Sequence, residues 1–133
     1  MGRLIGFMSR LVQPSSGSGG SFGCAGGVLP ATQVRGIGID VETAVLVEGH
    51  GNAAPYSYTA RRVTNVSTTS ESAAYFLRPL QPPTTCASGQ PLTVLSVEVR
   101  KLADDTVFNL SDWTGLTPYH VDAITGALTS NPY

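Results

Sequence analysis

The sequence predicts an α/β chain in the broad sense: one N-terminal helix followed by about six short, largely antiparallel strands. Three observations carry this. Apolar residues recur at helical spacing only over the first dozen positions. Beyond them, short apolar runs alternate with turn residues, and the chain holds 15 Gly and 9 Pro. Between those runs lie stretches rich in Ser, Thr and Gly without periodicity.

The helix comes first. Leu4, Phe7, Met8 and Leu11 follow i, i+3, i+4, i+7 spacing, and Ile5 and Val12 widen the stripe. Arg3, Ser9 and Arg10 form its polar side, and Pro14 ends it. A helix of about three turns is unstable alone, so its apolar face must pack on something. No capping residue precedes it, as if the chain began within an element. Residues 14–34 are Gly/Ser-rich and read as an insertion or linker. Residues 35–133 are the strand-rich part.

Two strands, Gly36–Ile39 and Thr43–Val47, flank a tight turn at Asp40–Glu42, where Asp40 can bond the backbone ahead of it. Ala44-Val45-Leu46-Val47 is apolar on both faces and is expected to be buried on both, which asks for covering layers. Gly49–Ser72 reads as a long surface loop with one edge strand near Arg62–Val66. Ala73–Leu77 is a third strand, and Pro79–Pro91 is a rigid connection. In Leu92–Leu102, Leu95, Val97 and Val99 face one way and Ser96, Glu98 and Arg100 the other, so one face should be buried and one wet. Asp104-Asp105 suits a hairpin turn into Thr106–Leu110. The tail runs through Trp113 and a strand at Tyr119–Val121 to a turn at Thr125-Gly126.

Composition excludes several functions. Charged residues are 13%, roughly half the usual ~25%. Eight Lys+Arg against nine Asp+Glu leave a net charge of −1, so no nucleic-acid partner is expected from bulk charge. No apolar run approaches the ~18 residues of a membrane helix, and no membrane partner is expected. Met1–Val12 makes a poor signal peptide, because Arg10 interrupts it and no small-residue cleavage site follows. A cytoplasmic location is therefore expected. Secretion is the alternative, which would give meaning to the glycosylation sequons at Asn65 and Asn109. Cys24 and Cys86 could form at most one disulfide, which sequence alone cannot pair; two free thiols in a reducing compartment are expected. His50 and His120 lack metal-ligand spacing, and no cofactor or metal is expected.

Met1-Gly2-Arg3-Leu4 with Phe7-Met8-Ser9-Arg10-Leu11, then Arg35-Gly36-Ile37-Gly38-Ile39-Asp40 and Thr43-Ala44-Val45-Leu46-Val47, resemble the C-terminal half of cyanophycinase-like peptidases. These are serine exopeptidases related to dipeptidase E. Ala74-Tyr75-Phe76-Leu77-Arg78, Cys86–Thr93 and Trp113 resemble later blocks. The resemblance implies a class I glutamine-amidotransferase-like fold, a sheet wrapped by helices. It also implies that the serine nucleophile and the histidine, in an Asp-x-His-Phe-x-x-Arg-x-Arg block, lie ahead of Met1. Residues 14–34 would then be an insertion.

The resemblance implies few site residues here. The family's triad acid follows the Asp of the Gly-Ile-Gly-Ile-Asp block, and Val41 stands at that position. A valine cannot accept the imidazole N–H. Glu42 or Asp40 could serve only if the turn shifted by one residue, which normally reverses the side chain's direction. Glu42 is carried as the catalytic candidate, against an exposed turn carboxylate. Arg3 matches an arginine that helps bind the substrate's acidic groups, against a solvated residue of the first helical turn. Gly23-Cys24-Ala25-Gly26 lacks the glycine two places before the nucleophile that an elbow needs, so Cys24 is not expected to be catalytic.

The expected function is therefore the C-terminal part of a serine exopeptidase acting by acyl transfer, inactive alone for want of nucleophile and base. The alternative is a non-catalytic β-rich binding or structural module, or a subunit completing a split hydrolase. A peptide substrate, a completing N-terminal half and a second copy of the chain are the partners these readings allow.

Overall fold

The structure, a computed structural model, describes residues 1–15, 23–51, 57–64, 72–103, 106–131 and 133. Among them are one α-helix, a single 3-10 turn at Ala31–Gln33, and mostly antiparallel strands. Helix α1 spans Gly2–Leu11. The strands are β1 (Gly36–Ile39), β2 (Thr43–His50), β3 (Ser57–Thr64), β4 (Ala74–Pro79), β5 (Val94–Leu102), β6 (Val107–Asn109), β7 (Tyr119–Ile124) and β8 (Ala127–Leu128). A five-stranded sheet has the order β1-β4-β5-β7-β8, and a three-stranded sheet the order β2-β3-β6.

The chain divides into two compact units. The first comprises Met1–Ile37, Leu77–Val99 and Tyr119–Tyr133. Here α1 buries Ile5, Met8, Ser9 and Val12, while Phe7 is 67% exposed and Leu11 44%. Of the expected stripe, Ile5, Met8 and Val12 are buried and Leu4 is half-buried, whereas Phe7 and Leu11 are exposed, so the covered face is centred on one edge of it. Gly36 explains the close approach on the buried side: a Cβ there would collide with the Met8 thioether. The end of the helix is satisfied by the returning chain. Leu11 O accepts from Val28 N at 2.9 Å and Leu29 N at 3.0 Å, and Val12 O accepts from Cys24 N at 3.0 Å. Part of the Gly/Ser-rich 14–34 stretch is therefore hydrogen-bonded to the end of α1.

In β5 the expected alternation fails. Val97, Glu98 and Val99 are all buried. The register against β7 shifts between Val94 and Val97, and Ser96 has φ of 55°. This is a β-bulge. Ser96 N donates to Asp122 Oδ1 at 2.7 Å, which holds the bulge in place. Glu98 is not wet, because Arg78 on neighbouring β4 grips it: Nε lies 2.9 Å from Oε1, and Nη2 donates to Oε2 at 3.0 Å. Burial lowers the Arg35 pKa; the nearby Arg78 charge adds to this and Glu98 opposes it. Glu98→Gln is expected to cost about 2 kcal/mol in urea unfolding, since it leaves Arg78 without its charge partner. An unchanged midpoint would show that the pair is dispensable.

β7 and β8 form the hairpin whose turn was expected at Thr125-Gly126. Ile124 faces Ala127, and both turn residues have positive φ, 49° and 82°, as a two-residue type I′ turn requires.

The second unit comprises Gly38–Phe76 and Arg100–Pro118. Its core holds Ala60, Ala74, Phe76, Leu102, Phe108 and Trp113. Phe76 stacks on Phe108 with centroids 4.1 Å apart, and Trp113 meets both edge-on at 5.7 and 5.1 Å. Trp113 keeps this position with φ of 62°, a left-handed conformation that costs a bulky residue roughly 1–3 kcal/mol.

Four expectations are corrected here. Gly49–Ser72 is not one long loop, because β2 and β3 pair antiparallel over eight positions, from Thr43↔Thr64 to His50↔Ser57. Nor is β3 an edge strand: β6 pairs its other side, with Ala60 opposite Phe108. The expected edge strand ran on to Val66, and residues 65–71 lie outside those described, as does the Asp104-Asp105 turn. Strand β2 is the edge of its sheet and is not buried on both faces, with Leu46 48% and Val47 51% exposed. An apolar run of this length does not by itself tell a central strand from an edge one. With that, the demand for missing covering layers over β2 lapses. Among the described residues there are also eight strands, against about six expected.

Candidate functional site

The turn that should carry the triad acid does something else. Asp40 N donates to Ala73 O and Ala73 N donates to Asp40 Oδ2, both at 3.1 Å. Asp40 therefore clasps a residue 33 positions away, and not the backbone just ahead of it. Val41 is 80% exposed, and Glu42 is exposed with φ of 57°. Glu42 immediately precedes β2, whereas His50 is the last residue of that strand. Eight extended residues separate them by roughly 26 Å, so they cannot form an acid–base pair. His50 Nε2 instead lies 2.8 Å from Thr59 Oγ1 across the β2–β3 ladder, on an exposed face. His120 is exposed on β7. Sequence-predicted Glu42 is thus not brought to His50.

The cysteines overturn an expectation. Cys24 and Cys86 are joined in a disulfide, with Cα atoms 5.0 Å apart, and are not free thiols. Hydrogen bonds at the end of α1 bring Cys24 into place, and the proline-rich connection before β5 brings Cys86. Pairing across 62 positions is a product of these long-range placements, which no local pattern encodes. Cys24 has no thiol to act as a nucleophile.

A cleft of about 680 Å3 lies beside α1, within the first unit. Arg3, Phe7 and Arg10 line it from the helix, at positions i, i+4 and i+7 of one face. Gly6 leaves its floor open, since a Cβ there would meet nothing within 4 Å. Ser88 and Gln90 line the opposite side, and both halves of the disulfide contribute to the wall. Among the described residues no carboxylate lines the cleft. Arg3, singled out from the sequence, is among the residues lining this cleft. Arg10 and Phe7 are the residues that sequence reasoning missed as a site. Their signal was present, in an arginine seven places from Arg3 and a phenylalanine assigned to the buried stripe.

Among the described residues no group of three His, Cys, Asp or Glu could hold a metal ion. Among them, too, no helix is long and apolar enough to cross a membrane. No family model, curated protein or solved structure matches the chain.

Proposed function

We propose that this chain is the C-terminal part of a cyanophycinase-like serine exopeptidase, and that the complete enzyme has a class I glutamine-amidotransferase-like fold. In that enzyme a serine attacks the scissile carbonyl, a histidine takes its proton and passes it to the leaving amine, and water releases the acyl group. This chain contributes neither serine nor histidine to that sequence. Its part is the strand framework and a cationic wall for the acidic end of a peptide.

The observation that carries this reading is the position of Arg3. The residue that the resemblance makes a substrate ligand lines a cleft of ligand size, beside a second arginine and, among the described residues, with no carboxylate to neutralise it. The Cys24–Cys86 bond favours an oxidising compartment, so secretion is preferred to the cytoplasm.

The test has two arms. The 133-residue chain is expected to release no arginine from β-aspartyl-arginine, and turnover by the chain alone would overturn the assignment of roles. The transcript is expected to carry an in-frame Asp-x-His-Phe block ahead of Met1. A stop codon there would favour the second reading, a binding module without catalysis. One observation supports that reading: the acid position is held by an exposed valine, Val41.

A further inference from the structure

We infer that the cleft beside α1 is a two-point site for a dianionic ligand, such as a dicarboxylate, with Arg3 and Arg10 at its ends and Phe7 against its apolar body. Seven residues return to nearly the same azimuth of a helix and advance about 10 Å along its axis. The two guanidiniums are therefore rooted one above the other along the cleft. Gly6 and Phe7 lie between them, one leaving space and the other offering an aromatic face.

Charge separates this from an ordinary solvated helix face. Among the described residues neither Arg3 nor Arg10 makes an ion pair or hydrogen bond, whereas Arg61 pairs with Glu48 and Arg78 with Glu98. Two unpaired cations on one concave surface create a local positive potential, although the whole chain is nearly neutral. Phe7 is 67% exposed at the same place, an apolar surface that a ligand's body would cover. Ser88 and Gln90 across the cleft supply neutral hydrogen-bonding groups for orientation. A monoanion would engage one arginine fork and leave the other solvated; two carboxylates engage both. The disulfide fixes the wall facing the helix, so the cleft is preformed and loses little entropy on binding.

The inference shares Arg3 with the peptidase reading and rests on that reading for nothing else. Its test uses the 133-residue chain and amide NMR shifts. Terephthalate is the dianion probe and benzoate the monoanion control. Terephthalate is expected to bind about tenfold or more tightly than benzoate, shifting amides of α1 and of residues 86–92. Arg10→Gln should bring terephthalate down to the benzoate level, and Arg3→Gln should do the same. Arg61→Gln, on the second unit, should leave both affinities unchanged. Both arginines of the cleft are exposed, so their variants should keep the dispersed spectrum of the parent. Equal affinity for the two probes, or an Arg10→Gln variant that loses nothing, would overturn the two-point site. Binding is read without turnover, so its failure leaves the β-aspartyl-arginine and transcript tests intact, and theirs leaves it intact.

Discussion

Replacing Cys24 and Cys86 together by serine is expected to lower unfolding stability by about 4 kcal/mol. The bond closes a loop with a sequence separation of 62. In the chain-entropy account, a loop of this length removes that much freedom from the unfolded chain. Total stabilities are only about 5–15 kcal/mol, so the effect would reach about a quarter of the whole or more. The gain comes from the unfolded state. The segment holding Cys24 is also hydrogen-bonded to the end of α1, so the variant should fray there first. Urea titration of parent, double variant and dithiothreitol-reduced parent checks the prediction. The last two should agree, and thiol titration of the unreduced parent should find none free. A midpoint that does not move in either would mean that the link adds nothing beyond contacts already made.

Phe76→Ala is expected to cost about 3–5 kcal/mol, the usual toll for removing a fully buried ring from a packed core. Phe76 has no exposed surface, stacks on Phe108 and receives the edge of Trp113. Truncation leaves a void between those two rings, and the backbone of the surrounding strands limits how far it can collapse. The left-handed Trp113 adds a second consequence. Its conformation is held by the rings that it meets, so losing one should release it and weaken the near-ultraviolet circular dichroism. Phe76→Leu retains much of the volume and should cost less than half as much. A loss under about 1 kcal/mol for the alanine variant would show that this cluster is not the core of its unit.

Several parts of the molecule were legible because their causes are local. The 3.6-residue recurrence over Leu4–Leu11 marks α1, and Pro14 marks its end, since spacing and ring geometry act within a few residues. Gly36–Ile39 is a strand with the boundaries expected, and Thr125-Gly126 is the turn expected. Which edge of the wide apolar stripe of α1 faces inward was not legible, because both edges are apolar and the neighbour at Gly36 decides. The pairing of β2 with β3 was also hidden. The Ser- and Thr-containing stretch that includes β3 reads as a loop by composition, and a paired strand differs from a loop in what lies across from it.

The site follows the same division. Arg3 was singled out from sequence, and it does line a cleft. Glu42 was also singled out, yet β2 carries the chain away from it so that His50 lies at the far end of the strand. Glu98 reads as a wet residue in an alternating strand, until one bulge at Ser96 and one arginine on the adjacent strand make it a buried partner.

The amino-acid order alone settled the N-terminal helix, the strand-rich remainder and the near-neutral charge, because periodicity, turn chemistry and composition act along the chain. Only the tertiary structure decided the Cys24–Cys86 bond, the aromatic core around Phe76 and the cleft between Arg3 and Arg10. Each depends on residues brought together from distant positions or on which face of an element the fold covers. Those are outcomes of packing, in which many apolar arrangements of similar local merit compete and the one that buries most without strain prevails.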